Sequence, residues 1–260
     1  VEEDGTALDI LRTSNTFNPL MAFKDPERLR DMLILALELE SEGDANYYFE
    51  FQTAFLTRLF HLFLATDKKF TFEDIAEFIM HPESRKYTYN LALERGKKEE
   101  VLEMSQILQR LKTGYPELLG LYNKIDQLFI SDKKISKLIN VYESEIDMKK
   151  SLDAKDMILF SLSCGNKFKT NKVLARMVVS IMNDLVGAKQ GYEKKPFWML
   201  ILDEFGTYAT KALAPMIVTA RSSNTSMVLS YQTDEQLNEI DGLSGIIQNS
   251  TDIKFIFNSP

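Results

Sequence analysis

The sequence is poor in the residues that build disulfide frameworks and metal cages. Its 260 residues include one cysteine, Cys164, and two histidines. A single thiol cannot form an internal disulfide, and one cysteine with two histidines cannot supply the four ligands of a Cys/His metal cage. The cysteine usage therefore predicts a reducing compartment.

Long apolar runs and compositional bias are absent as well. No run approaches the roughly 18 to 20 residues that a membrane helix requires, and Val1 begins no signal peptide. Eleven glycines, seven prolines and 27% charged residues are unlike collagen or low-complexity sequence, and 45% hydrophobic residues suffice for one large or two modest cores. We expect an ordered globular chain without membrane contact. Its acidic start without methionine predicts a piece of a longer polypeptide.

The chain carries more acidic than basic side chains. Its formal net charge is −7, whereas a protein that coats nucleic acid needs clustered lysine and arginine to neutralise phosphates. This balance excludes a broad basic surface and still allows a narrow basic channel.

The first half of the chain has the apolar periodicity of helices. From Asp25 to about Phe129, apolar residues recur every three to four positions, and the aromatic-rich stretch 44–65 predicts a face buried in a bundle. Asp25 is a candidate N-cap, and Thr71 with Asp74 three residues later nearly matches a capping box. We expect several packed helices here.

The second half alternates between strand and helix patterns. Spacing of this kind predicts right-handed crossovers and a mostly parallel sheet covered on both faces. The predicted fold class is α/β with an inserted all-α domain, divided into an N-terminal part of the α/β domain (1–23), the all-α domain (24–130) and the rest of the α/β domain (131–260). The strands are predicted at 7–11, 156–163, 197–206, 226–232 and 252–260, and the later helices at 170–189, 209–223 and 240–250.

One predicted strand ends in two adjacent carboxylates, Asp203 and Glu204. The carboxyl ends of parallel strands are where ligands bind, and a cation can stabilise a carboxylate that is removed from water. Four hydrophobic residues followed by Asp-Glu form the Walker B pattern of P-loop nucleotide hydrolases. In that pattern the Asp holds Mg²⁺, often through water, and the Glu positions and deprotonates the attacking water. A strand that ends at the surface in two acids is the alternative.

Two further residues are candidates for the same site. Gln232 ends the next predicted strand, so its amide would lie beside the acids and could hydrogen-bond a γ-phosphate or the attacking water. Arg221 lies at the far end of the intervening helix and could stabilise charge across a subunit boundary. A solvated arginine and an ordinary polar strand end are the alternatives.

Several segments together resemble a known family. The run "LILDEFG" is followed by "TARS", by a strand ending in "YQT" and by "IIQNSTDIKFIF", and "FNPL" lies near the start at Phe17 to Leu20. In this order they resemble the type IV coupling proteins, the TraG/TraD group of DNA-translocating ATPases in bacterial conjugation and type IV secretion. The resemblance covers almost the whole chain and is most specific around Asp203.

The resemblance implies a RecA-like P-loop NTPase core and a homo-hexameric ring at the cytoplasmic face of the bacterial inner membrane. Such a motor uses ATP and Mg²⁺ to move single-stranded DNA, with its bound relaxase, towards secretion channel proteins. By the same resemblance Asp203 is the Mg²⁺-side acid, Glu204 the catalytic base, Gln232 a nucleotide-contacting glutamine and Arg221 an arginine acting on a neighbouring subunit. The all-α domain would receive the relaxase, other secretion substrates or accessory proteins.

One departure from the family is clear. The chain contains no G-x-x-x-x-G-K-[ST] sequence, so it has no P-loop to cradle phosphates. In the family, that loop and a membrane anchor precede the "FNPL" segment, which leads us to expect that the chain begins downstream of both. Without the loop, we expect these residues alone to bind ATP weakly or not at all.

Two other functions are compatible with the sequence. A different secretion, pilus or chromosome-partitioning ATPase would share the acidic strand end. A catalytically inactive nucleotide-fold scaffold, whose helical domain docks protein partners, would keep the fold without the chemistry.

Overall fold

The chain consists of two compact units, 1–148 and 149–260. The computed structural model describes residues 14–39, 45–111, 116–162, 168–238, 240 and 242–256. Within these ranges, no helix is both long enough and apolar enough to cross a lipid bilayer. The domain boundaries predicted at 23/24 and 130/131 stay a prediction.

The first unit is helical. A π-helical turn, Asp126–Ile130, directly continues the helix Pro116–Ile125. The predicted helical character of this part of the chain is confirmed. Its helices are α1 (Pro26–Leu37), α2 (Ala45–Ala65), α3 (Phe72–Met80), α4 (Pro82–Glu94), α5 (Lys98–Gln109), α6 (Pro116–Ile125) and α7 (Lys133–Ile139).

The helix starts in this unit follow from capping chemistry. The Asp25 carboxylate accepts a hydrogen bond from the Glu27 amide at 2.9 Å and caps α1. Thr71 and Asp74 form a complete capping box at α3, in which each side chain accepts from the other residue's backbone amide. Aromatic side chains fill the core, where the rings of Phe72 and Phe129 stack with their centroids 4.2 Å apart.

The segment that contains "FNPL" is anchored to this helical unit. Asn18, which is 1% exposed, donates hydrogen bonds from its side chain to the carbonyls of Phe70 and Val141, both at 2.9 Å. The Thr16 amide donates to the Glu145 carboxylate at 2.7 Å. This segment therefore joins the loop before α3 to the chain that follows α7.

The second unit contains a small parallel sheet. Its strands pair in register, from Trp198 opposite Thr225 to Leu202 opposite Leu229. On one face of the first strand Trp198 and Leu200 are buried, and on the other face Met199 and Ile201 are exposed. The elements are α8 (Met148–Ala154), whose first residue is the last of the other unit, α9 (Phe168–Ala188), β1 (Trp198–Leu202), α10 (Leu213–Ala220), β2 (Thr225–Leu229), α11 (Glu235–Asn238) and α12 (Leu243–Ser250).

The predicted RecA-like core with a mostly parallel sheet is wrong for this structure. The described residues contain two strands only, and the structure is mostly helical. Residues 156–162 and 252–256 belong to no strand, and the side chains of Met157 and Phe255 are 95% and 80% exposed. An apolar run forms a strand only where a neighbour pairs its backbone, and these two segments have none among the described residues. The strand predicted at 7–11 lies outside the described residues.

Candidate functional site

The candidate site lies where the loops after β1 and β2 meet. Because the strands are parallel and end opposite each other at Leu202 and Leu229, their carboxyl ends lie on the same side of the sheet. Asp203 and Glu204 leave β1 there, and residues 230–232 leave β2. The backbone pairing continues past the strands, since the Ser230 amide donates to the Leu202 carbonyl at 3.0 Å. Two short loops are thereby held side by side.

The Asp203 side chain is exposed, and one of its two carboxylate oxygens accepts hydrogen bonds. Its Oδ1 accepts hydrogen bonds from the Ser230 hydroxyl and, at 3.1 Å, from the Glu204 amide. Its Oδ2 accepts no hydrogen bond from the residues that the structure describes. One oxygen of this carboxylate is therefore oriented by the protein while the other faces solvent.

Glu204 adopts the left-handed backbone conformation, with φ 49° and ψ 32°. This conformation costs a residue other than glycine about 1–2 kcal/mol. The Glu204 amide donates to the Ser230 hydroxyl at 3.2 Å, and the following amide, Phe205, donates to the Ser230 carbonyl at 2.9 Å. These bonds stabilise the turn and direct the exposed Glu204 side chain towards the second loop.

Gln232 lies beside Glu204. Its Nε2 is 3.5 Å from Glu204 Oε1, which is a long and weak hydrogen bond between residues that are 28 positions apart. The strand itself ends at Leu229, three residues before Gln232, so the glutamine sits in the loop. The structure thus brings together Asp203, Glu204 and Gln232.

Arg221 does not join this group. It caps the C-terminus of α10 and precedes β2, whereas the acids follow the carboxyl ends of the strands. A strand of five residues spans roughly 16 Å, so the exposed Arg221 lies near the opposite end of the sheet. Within one chain it is therefore separated from the Asp203, Glu204 and Gln232 side chains by about the length of a strand.

Tyr208 is a site residue that the sequence did not reveal. Its hydroxyl donates to the backbone carbonyl of Asp203 at 3.0 Å. Burial, together with the negative charges of Asp203 and Glu204, raises the pKa of Tyr208 to about 12. The phenol therefore stays protonated at neutral pH and continues to donate to the acidic turn.

Gln236 on α11 closes the turn from the other side. Its Oε1 accepts a hydrogen bond from the backbone amide of Gln232 at 3.4 Å, and its side chain lies directly against Gly206. A Cβ at position 206 would be 2.5 Å from that Oε1. Glycine therefore lets the "DEFG" turn approach the loop after β2.

The carboxylates of this site fit a cation that takes the rest of its ligands from water or substrate. Among the described residues there is no cluster of three or more His, Cys, Asp or Glu side chains that could hold a metal ion. Mg²⁺ commonly takes one or two carboxylates and completes its shell with water and substrate phosphates. Asp203, with an exposed and unpartnered Oδ2, meets that requirement, and the site offers no complete protein cage.

No family model, curated protein or solved structure matches this chain. The likeness to type IV coupling proteins therefore stays an expectation drawn from the "LILDEFG" region and the segments around it.

Proposed function

We propose that the loops after β1 and β2 form the cation- and water-handling part of an ATP hydrolysis site. The observation that carries this proposal is the 3.5 Å contact between Gln232 Nε2 and Glu204 Oε1, next to the oriented carboxylate of Asp203. A carboxylate that could bind a cation (Asp203), a carboxylate that could accept a proton (Glu204) and an amide that could bind a water molecule (Gln232) then lie close together. Two paired strands are sufficient to assemble this group.

Asp203 would hold Mg²⁺, directly or through a water molecule, by its free Oδ2. When bound, Mg²⁺ neutralises the charge of the triphosphate oxygens. The hydrogen bonds to Oδ1 from Ser230 and Glu204 fix the plane of the carboxylate, so little rotational freedom is lost on binding.

Glu204 would act as the general base. Its carboxylate accepts a proton from the attacking water, and Gln232 positions that water by a hydrogen bond from its Nε2 or to its Oε1. Both side chains are exposed in this chain. Efficient proton transfer requires the bound nucleotide, or a neighbouring subunit, to exclude bulk water from them.

The phosphates need a partner that these residues do not supply. The chain has no P-loop sequence, so the amides and lysine that cradle the β- and γ-phosphates would come from outside it. Arg221, at the far end of β2, would serve a nucleotide on the next subunit of a homo-hexamer.

The biological setting that we propose is DNA transfer. As a coupling protein at the cytoplasmic face of the bacterial inner membrane, the intact ATPase would move single-stranded DNA towards a type IV secretion channel. The helical first unit would receive the relaxase and accessory proteins. The net charge of −7 supports protein docking rather than DNA coating for most of the surface.

A catalytically inactive scaffold is the second candidate function. It is favoured by one observation, the exposure of both Asp203 and Glu204 to solvent. In that case the acids would be ordinary surface residues at a strand end, and the helical unit would carry the function by docking partners.

The substitution Glu204→Gln in the full-length protein decides between the two candidates. If Glu204 is the base, the change lowers kcat for ATP by about 10²- to 10⁴-fold, while the affinity for Mg-ATP stays within a few fold. Glu193→Gln, an exposed acid before β1, is the matched control and should leave both constants unchanged. Unchanged hydrolysis in Glu204→Gln would refute the proposed role, and a wild-type protein without any ATPase activity would favour the scaffold.

A further inference from the structure

We propose that Ser230 is the positioning residue of this site. Its hydroxyl holds the Asp203 carboxylate in the orientation that presents Oδ2 to a divalent cation. This inference rests on the proposed function, because it concerns the cation-binding step of the same site. No sequence pattern in the chain marks Ser230 for such a role.

The hydroxyl of Ser230 makes a hydrogen bond in each direction. It donates to Asp203 Oδ1 and accepts from the Glu204 amide at 3.2 Å. Among the described residues, no other side chain hydrogen-bonds the Asp203 carboxylate. Loss of this single hydroxyl would therefore leave the Glu204 amide as the one described donor to the Asp203 carboxylate and remove one support of the strained Glu204 turn.

Ser230 is itself held firmly by backbone pairing. Its amide donates to the Leu202 carbonyl at 3.0 Å, and its carbonyl accepts from the Phe205 amide at 2.9 Å. These two bonds extend the parallel ladder by one step beyond β1 and β2. The hydroxyl is thus presented by the sheet and not by a free loop, which lets it hold Asp203 in one orientation.

The arrangement leaves the charge of Asp203 available to a ligand. The donors at Oδ1 are a neutral hydroxyl and a neutral amide, so neither cancels the carboxylate charge. Oδ2 remains open on an exposed residue that a hydrated cation can reach. Groups that orient a metal-binding carboxylate in this way typically change metal affinity by about 10- to 100-fold when they are removed.

The test is a titration of the 260-residue chain with Mn²⁺ alone, read by paramagnetic broadening of the backbone amide signals of residues 203–206 and 230–232. Ser230→Val removes the hydroxyl, and Ser230→Thr has nearly the same shape but keeps it. Ser230 is exposed, so the added methyl groups have room. Asp203→Asn removes the proposed cation ligand.

We expect Mn²⁺ to broaden these signals in the wild type and in Ser230→Thr with the same apparent Kd. In Ser230→Val that Kd should rise about tenfold, and in Asp203→Asn the broadening should disappear. A structural role alone would alter unfolding without this dependence of cation affinity on the hydroxyl. If Ser230→Val fails to fold, Ser230→Ala, which adds no bulk, replaces it.

The outcomes that contradict the inference differ from those that contradict the proposed function. Equal Mn²⁺ affinity of folded Ser230→Val and wild type would overturn the role of Ser230 and leave the cation site standing. Equal losses in Ser230→Thr and Ser230→Val would also overturn it, because the effect would then follow shape and not the hydroxyl. An absence of broadening at these amides in the wild type would contradict the cation site itself.

Discussion

The Nζ of Lys189 lies 3.9 Å from the centre of the Trp198 ring in the interior of the second unit. Lys189 is 0% exposed, and its Nζ donates to Thr225 Oγ1 at 3.1 Å and to the Asn224 carbonyl at 3.3 Å. The lysine thereby connects the end of α9 to the start of both strands. A cation over an aromatic face is stabilised by the ring, but burial opposes its charge.

The charge of Lys189 should make the stability of the second unit depend on pH. The pKa of Lys189 falls from 10.5 to about 8, mainly because of burial, while Asp153 opposes the shift and Lys195 contributes to it. Between these two values the unfolded chain binds more protons than the folded chain, so the free energy of unfolding rises as pH rises from about 8 to 10.5. Lys189→Met, which cannot titrate, should lack this rise.

Urea unfolding followed by fluorescence measures this effect. Trp198 is the one tryptophan of the chain and lies in the second unit, so its emission reports on the relevant structure. Lys211→Met, at an exposed lysine, is the matched control and should follow the wild-type curve. Parallel curves for Lys189→Met and wild type over pH 8 to 10.5 would show that Lys189 titrates alike in the folded and unfolded states.

The sheet illustrates what a single sequence can and cannot specify. Strands were predicted at 197–206 and 226–232. The first stretch contains β1, and the second overlaps β2 from Ser226 to Leu229. The runs at 156–162 and 252–256 have similar composition but form no strand, because a strand also needs a partner at its edge. The composition of a run shows that it is apolar enough to form a strand, but it does not show whether a partner strand lies beside it. The prediction of a RecA-like core was wrong for this reason.

Within the region 25–129 that was predicted to be helical, no separate helix was predicted for residues 82–94, which form α4. The buried residues of α4 are Arg85 and Ala92 only. Arg85 instead donates from its guanidinium to the carbonyls of Phe78 and Ile79, at the end of the preceding helix. In a helix stabilised in this way, apolar residues do not recur with the helical period, so the sequence does not predict it.

At the acidic turn, too, the sequence predicted some of the contacts and not others. The neighbourhood of Glu204 and Gln232 was expected because the ends of parallel strands meet at one edge, and the structure brings the two side chains to 3.5 Å. Ser230, Tyr208 and Gln236 were not expected. Their roles depend on individual hydroxyl and amide contacts, which no spacing rule encodes. Their functional roles, like those of the predicted residues, stay predictions.

The second prediction concerns the anchor of the "FNPL" segment in the first unit. Asn18→Asp keeps the side-chain shape but replaces the Nδ2 donor by a carboxylate oxygen, which then faces the carbonyls of Phe70 and Val141. Because Asn18 is 1% exposed, the new charge is buried, and the Leu20 amide, 3.0 Å from the present Asn18 Oδ1, is the one donor that the described residues offer it. We expect the free energy of unfolding of this unit to fall by about 3 kcal/mol.

Urea unfolding followed by far-ultraviolet circular dichroism measures the effect in this helical unit. The control is Asn90→Asp, which makes the same chemical change at an exposed position on α4 and should alter stability by less than about 0.5 kcal/mol. The Asn18 prediction also depends on pH, since protonation of the new carboxyl restores a donor. A loss of stability that is the same at pH 7 and at pH 4 would contradict the buried-charge explanation.

The third prediction tests the close packing of Gly206 against Gln236. A Cβ at position 206 would lie 2.5 Å from Gln236 Oε1 and 3.1 Å from Gln236 Cβ, so Gly206→Ala must displace this side chain and break its bond to the Gln232 amide. We expect a loss of about 1–3 kcal/mol in the free energy of unfolding. Gln236→Ala should lose about 1 kcal/mol, the worth of an ordinary hydrogen bond.

The double substitution separates this clash from a general effect of alanine. With the Gln236 side chain already removed beyond Cβ, the methyl group at 206 meets less resistance, so Gly206→Ala with Gln236→Ala should cost at least about 0.5 kcal/mol less than the sum of the single changes. Gly187→Ala is the control, because nothing lies within 4 Å of its added Cβ and alanine favours the surrounding helix α9. Fully additive losses, measured by the fluorescence of Trp198 during urea unfolding, would mean that the two side chains do not compete for the same space.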